Sequence, residues 1–162
     1  VGDHGWFLVD VGQWQKHSNF ERATRSPLII AGPGVKQNSA CDRFVETVDI
    51  FPTIIDCVEA KPFPLSDCRS FKPLLSNPSQ EWKECAYHTF NRGPRIGYAV
   101  RTDAARYVEW HQGWSLDSPV IASEFYRYSA TLPVEVCNEV ADPALEAEVK
   151  RHAALLRHQP SP

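Results

Sequence analysis

Between residues 96 and 111 the chain reads IGYAVRTDAARYVEWH. Two stretches rich in aromatic and β-branched residues flank Thr102-Asp103-Ala104-Ala105, a pattern that predicts a β-hairpin. CAYHTF (85–90) and SEFYRYSA (123–130) share the texture, so three or four antiparallel strands are expected beyond about residue 80. ADPALEAEVKRHAALLRH (141–158) then closes the chain as a helix. Asp142 is its cap, Pro143 its first residue, and Leu145, Val149, Ala153 and Leu156 its apolar stripe. Glu146 and Lys150 form an i,i+4 pair.

Upstream the pattern changes. In RSPLIIAGPG (25–34) a short apolar run, Leu28–Ala31, is cut off by Gly32-Pro33-Gly34, which predicts a buried strand and a turn. ETVDIFPTIIDCVEA (46–60) places Val48, Phe51, Ile54, Ile55 and Val58 at helical spacing, with Pro52 tolerated in the first turn and Thr47 or Asp49 as cap. That helix is expected to pack its apolar face on the strand. A proline-rich connection follows, carrying the apolar plug Phe71, Leu74 and Leu75. The expected organisation is therefore an α/β portion over residues 1–78 and a small antiparallel-sheet subdomain with a terminal helix over 79–162.

A chain of 162 residues is long enough to bury a core. Its net charge of −3 offers no basic field for nucleic acid. Its longest apolar stretch, PLIIAGPGV, is too short to span a bilayer. The five cysteines form no C-x-x-C pair, which argues against a zinc ribbon or a thioredoxin-type redox site. Cys57 and Cys68 flank the proline-rich loop and are candidates for a bridge across it.

The residues suited to chemistry lie in VGDHGWFLVDVGQWQKHSNF, residues 1–20. Asp3 and His4 sit between Gly2 and Gly5, in a turn where backbone and side chains can approach a ligand closely. A carboxylate beside an imidazole suits a divalent metal or acid–base work. Lys16 offers a compact cation for an oxyanion, with Trp6, Trp14 and His17 around it. Taken alone, each also fits an ordinary surface or core position. His88 and His111 read as structural, and Glu21, Arg22 and Arg25 as a solvated or salt-bridged face.

In combination, GDHGWFLVDVGQWQKHSNFERATRSPLIIAGPG followed by VETVDIFPTIIDCV resembles the formylglycine-dependent sulfatases of the alkaline phosphatase superfamily. Within that family DHGW, the W-x-K-x-S-N-F spacing and AYHTFNRGPRIGYAVRT look most like the iduronate-2-sulfatase group. The resemblance implies the C-terminal part of a sulfatase-like α/β sandwich and a sulfated carbohydrate substrate, such as a uronate 2-sulfate. It implies one calcium ion, held in part by Asp3, with His4 facing the metal or the sulfate. Lys16 matches the lysine that contacts the sulfate and assists the departing alcohol, and Trp6 and His17 match positions at the pocket mouth. It implies an extracytoplasmic location, lysosomal, periplasmic or secreted.

Two departures accompany the likeness. Where the family has G-E-H-G, this chain has Val9-Asp10-Val11-Gly12. The nucleophile motif C-x-P-x-R is absent, as are the family's paired N-terminal aspartates, so the chain reads as a C-terminal piece that needs an upstream catalytic segment and is inactive alone. Two other readings stand beside the sulfatase. One is a phosphatase or phosphonate hydrolase of the same superfamily. The other is a non-catalytic carbohydrate-binding module with Tyr98, Tyr107, Trp110 and Trp114 as its platform.

Overall fold

A computed structural model describes residues 1–61, 67–129 and 135–158. The fold is mixed α/β, with two antiparallel sheets and a terminal helix. Two compact units emerge, Val1–Leu28 with Tyr87–Gln159, and Ile29–Ala86. Within the first unit the N-terminal segment is hydrogen-bonded to the C-terminal sheet, through Arg101 to Glu21 and Arg106 to the Asn19 carbonyl.

The first unit opens with a small antiparallel hairpin, β1 (Phe7–Leu8) and β2 (Trp14–Gln15), then one helical turn, α1 (Glu21–Thr24). Its main element is a four-stranded sheet in the order β3 (Cys85–Arg92), β4 (Arg95–Thr102), β5 (Ala105–Gln112), β6 (Val120–Arg127). The β4–β5 hairpin falls where the sequence places it, pairing Arg101 with Arg106 and turning through Asp103-Ala104. Thr102 secures that turn, its Oγ1 accepting from the Ala105 amide at 3.2 Å.

The closing helix also forms as expected. The Asp142 carboxylate accepts from the Ala144 amide at 2.9 Å, and a 3-10 turn over Pro143–Leu145 leads into α4 (Glu146–Arg157). Glu146 and Lys150 pair at 2.6 Å. Leu145 and Leu156 are buried, with Val149 and Ala153 partly so. The core also holds Ala99, Val100, Val108 and Phe125, each closed to solvent. A full-sized apolar side chain removed from water in this way stabilises by roughly 1.5–3 kcal/mol. The expected stripe omits His152, which is buried beneath α4 with its Nε2 at 2.9 Å from Thr102 Oγ1.

In the second unit α2 (Ile50–Cys57) and α3 (Lys72–Ser76) meet around Asp49. Its buried carboxylate accepts from the Glu46 and Arg69 amides, at 2.9 and 2.8 Å, and from Lys83 Nζ at 2.7 Å. Thr53 Oγ1 donates to the Asp49 carbonyl at 2.6 Å and accepts from the Phe71 amide at 2.9 Å. A buried carboxylate is tolerated only when supplied with donors in this way.

Two expectations fail here, and one candidate pairing does not form. Leu28–Ala31 is not a strand, and Ile29 is 87% exposed, because no neighbouring strand among the described residues pairs with its backbone. The helix forms at Ile50–Cys57, yet Phe51, Ile54 and Val58 face solvent, since the strand they were expected to cover is not there. Cys57 and Cys68 are both free thiols.

Candidate functional site

The turn carrying Asp3 and His4 is held by its backbone. The Gly2 amide donates to the Pro27 carbonyl and the Gly5 amide to the Ala23 carbonyl, both at 2.9 Å. These glycines permit an approach no side chain would allow. A Cβ on Gly5 would lie 1.8 Å from the Arg22 carbonyl oxygen, and one on Gly2 would lie 2.8 Å from Pro27 Cδ. The turn is therefore pressed onto α1 and the segment leaving it.

Between Gly2 and Gly5 the Asp3 side chain is 86% exposed, with Oδ2 at 3.2 Å from His4 Nε2. His4 Nδ1 lies 2.7 Å from the Gly5 carbonyl, so Nδ1 carries the hydrogen. His4 Nε2 and the Asp3 oxygen are turned to one point, a nitrogen and a hard oxygen side by side. The pair thus fits two members of a metal-ligand set. It is not a whole set, since calcium takes six to eight oxygens, and no group of three or more candidate ligands is found among the described residues. Trp6 stacks on His4, ring centres 5.9 Å apart, and is half-exposed.

From Trp6 the chain enters the β1–β2 hairpin. Phe7, fully buried, pairs with Gln15, and Leu8 pairs with Trp14. Lys16 follows Gln15 directly, so it leaves the hairpin at the end where Trp6 enters. The far end is a tight turn in which Val9 (φ 73°), Val11 (φ 49°) and Gly12 (φ 73°) are all left-handed. Asp10 staples that turn, accepting from the Leu8 amide at 3.0 Å and facing Arg22 Nε at 3.3 Å. The Leu8 amide, with Arg22 beside it, holds the Asp10 carboxyl below the usual range. The chain's departure from G-E-H-G thus falls on a turn whose first position has glycine geometry but carries valine.

Lys16 is exposed. Its carbonyl accepts from the Ser18 amide at 2.8 Å, and Ser18 Oγ accepts from the Phe20 amide at 3.0 Å. His17 is exposed and packs against Phe90, centroids 6.3 Å apart, with Trp110 behind Phe90 at 6.4 Å. The five residues singled out from sequence, Asp3, His4, Trp6, Lys16 and His17, thus all belong to one compact unit, on the turn and hairpin that α1 supports.

What the sequence did not disclose is the group beneath them. Arg106, on β5, is 1% exposed and spends its guanidinium on the Asn19 carbonyl (2.6 Å), Glu21 (2.7 Å), Tyr128 (2.9 Å), Glu135 (3.0 Å) and Thr24 (3.1 Å). Burial pushes Glu21 up, but Arg106 and Arg101 more than offset it and leave that carboxyl below its ordinary value. No local pattern announces a contact 85 residues apart. A charged residue inside a strand-like run, RYVEWH, was the one available signal.

His111 and His88, outside the site, lie within the four-stranded sheet. His111 is buried, its Nδ1 2.7 Å from the Ser118 carbonyl and its Nε2 3.1 Å from Glu109. His88 is held neutral by burial and by Arg106, its pKa lowered to about 4. The aromatic platform of the binding-module reading does not form. Tyr98 and Tyr107 are buried, Trp110 is tied to Glu124 at 2.7 Å, and only Trp114 is freely exposed. Gly97, next to Tyr98, pairs with Trp110, so adjacent register positions turn these rings to opposite faces of the sheet.

Residues 2–150 match the family model described as N-sulphoglucosamine sulphohydrolase, C-terminal. The chain is 27% identical to a sulfatase of Formosa agariphila, over 95% of this chain and 28% of that protein. It is 28% identical to arylsulfatase K of Rattus norvegicus, over 94% of this chain and 31% of that protein. A solved structure of BT4656 in complex with its substrate D-glucosamine-2-N,6-O-disulfate superposes with a TM-score of 0.83 at 25% identity, covering 96% of this chain and 32% of that one. The chain thus spans about a third of the length of the relatives it matches. The finer likeness expected from sequence, to the iduronate-2-sulfatase group, is not carried by these matches.

Proposed function

The chain belongs to the N-sulphoglucosamine sulphohydrolase C-terminal family, and from that premise we propose that it serves a sulfuric ester hydrolase acting on a sulfated sugar of the glycosaminoglycan type. The observation that carries the reading is the family match over residues 2–150, which takes in the Asp3-His4 turn and Lys16. The neighbouring structure, a complex with a doubly sulfated glucosamine as substrate, supports a sulfated sugar over other sulfate esters. A uronate 2-sulfate is the second candidate.

Lys16 is the residue for the sulfate. Its exposed ammonium stands on a short, hydrogen-bonded turn, ready to neutralise charge building on the bridging oxygen as the sugar alcohol leaves. Trp6 and His17 offer apolar faces at the mouth, on which a sugar ring can stack. Asp3 would hold calcium, with His4 turned to the same point, and calcium when bound supplies a fixed positive charge for the sulfate oxygens. The nucleophile, a formylglycine in this family, comes from an upstream segment. The exposed apolar face of α2 (Phe51, Ile54, Val58) together with Ile29 supports a partner of that kind. The location proposed is extracytoplasmic. No described helix is long and apolar enough to cross a membrane.

The test is sulfate release by the full-length polypeptide from N-sulfated glucosamine, 6-sulfated glucosamine and uronate 2-sulfate, with residues 1–162 assayed beside it. Turnover of one of these sugars by the full-length protein alone is the expected result. Release by residues 1–162 in isolation, or hydrolysis of phosphate esters in preference to sulfate esters, would count against the reading.

A further inference from the structure

The two halves of the candidate site share one support. The Asp3-His4 turn rests on α1 through Gly5 and Ala23, and the Lys16 turn runs into α1 through Ser18, Asn19 and Phe20. This shared segment, Asn19–Thr24, is gripped by a single buried side chain. Arg106 binds the Asn19 carbonyl at one end of it and Thr24 Oγ1 at the other, with Glu21 between. The grip is reinforced from three sides. Glu135 accepts from Arg106 Nε and from the Glu21 amide, at 3.0 and 2.9 Å. Arg101 Nε adds a second donor to Glu21 at 2.9 Å. Asn19 lies so close to β4 that a Cβ on Gly97 would stand 2.4 Å from its Nδ2.

A guanidinium with both carboxylate partners and a backbone carbonyl is a demanding arrangement to bury. Its desolvation is offset only when the planar fork is fully satisfied. Lysine, a point charge with no fork, can keep the charge balance with Glu21 and Glu135 but cannot span Asn19, Glu21 and Thr24 together. Between Arg106 and Lys16 the path is continuous and short: Arg106 to the Asn19 carbonyl, Ser18 Oγ to the Phe20 amide, Ser18 amide to the Lys16 carbonyl. We infer that Arg106 is a positioning residue for Lys16, fixing the Lys16–Phe20 turn on the sheet so that the ammonium is aimed before substrate arrives. The inference rests on the reading of Lys16 as the sulfate contact. Misplacing a reacting group by about 1 Å costs on the order of a hundredfold, which sets the scale of the effect.

The experiment is a double-mutant cycle in the full-length polypeptide, measured as kcat on the sulfated sugar it turns over best. Arg106→Lys is expected to lower kcat about 10- to 100-fold, with KM changing much less. In a Lys16→Ala background the same change is expected to cost less than about threefold, because the group it positions is gone. Amide hydrogen exchange supplies a readout independent of turnover, in which residues 16–20 exchange faster in Arg106→Lys while β4 and β5 stay protected. If Arg106→Lys does not fold, Glu135→Gln, which keeps the shape and loses one charge of the clamp, takes its place in both measurements. Equal losses in the two backgrounds, or unchanged exchange at 16–20, overturn the inference and leave the role of Lys16 standing. A wild-type rate in Lys16→Ala alone is a different result, and it removes the sulfatase role of Lys16 itself.

Discussion

The carbonyl oxygen of Arg22 occupies the space a Cβ of Gly5 would need, 1.8 Å from where that atom would stand. Because the obstacle is backbone and not a flexible side chain, the two segments would have to part. Gly5→Ala is therefore expected to break the Gly5–Ala23 hydrogen bond and destabilise the protein by about 1–3 kcal/mol or more. A melting temperature within a degree of wild type would show that the turn is not pressed onto α1.

Lys16 is exposed and makes no side-chain hydrogen bond or ion pair recorded among the described residues, so its removal leaves the fold intact. In the full-length enzyme Lys16→Ala is expected to lower turnover about a hundred- to a thousandfold, the usual cost of losing one preorganised charge contact. The circular dichroism spectrum and melting temperature stay unchanged. An undiminished rate removes the lysine from the mechanism.

Val9 takes φ 73° and ψ −1°, a conformation that a β-branched residue adopts at a cost and glycine does not. Its side chain is more than half exposed, so little packing is lost with it. Val9→Gly is expected to raise the denaturation midpoint, by up to about 1 kcal/mol in stability after the extra flexibility of the unfolded chain is counted. A lowered midpoint contradicts the strain.

That hairpin also shows where sequence reasoning stops. The β4–β5 strands and α4 were legible because their signals are local: alternation around Asp103-Ala104, a capping Asp142, a proline at the first position. The β1–β2 turn was not, since Val9 and Val11 are residues a reader would never assign to left-handed positions. The run Leu28–Ala31 carried the apolar signal of a buried strand, but that signal cannot supply a partner, and with no strand pairing to it among the described residues Ile29–Ala31 stay exposed. Asp3, His4 and Lys16 were singled out by the resemblance of the stretch that carries them to the sulfatases. Arg106, Glu21 and Glu135 were not, because their meeting is a matter of tertiary distance alone.

Asp3 offers an exposed carboxylate oxygen at the proposed metal position, with His4 Nε2 beside it at 3.2 Å. On the proposed reading, chelation of calcium in the full-length polypeptide is expected to abolish turnover. Asp3→Asn is expected to raise the calcium concentration needed for half-maximal activity by at least about tenfold, because a carboxylate charge is lost from the ligand set. An identical calcium dependence in the variant rules Asp3 out as a ligand, whatever its effect on rate.

The last prediction concerns acid. His88 lies on β3, half-buried, and burial together with the neighbouring Arg106 guanidinium lowers its pKa from 6.5 to about 4. Unfolded, the same imidazole takes up a proton near pH 6.5. The folded form is thus neutral where the unfolded form is charged, so protonation favours unfolding. Stability attributable to this group is complete above pH 6.5 and falls as pH drops toward 4, by about 2–3 kcal/mol at most. Glu21, also held low, loses its ion pairs with Arg101 and Arg106 only at the acid end of that range or below it. Urea midpoints measured at pH 7, 5.5 and 4.5 should therefore decline in the wild type. They should decline less steeply in His88→Gln, which keeps a polar side chain and cannot titrate. Equal slopes for the two proteins would mean that His88 shifts no proton on folding.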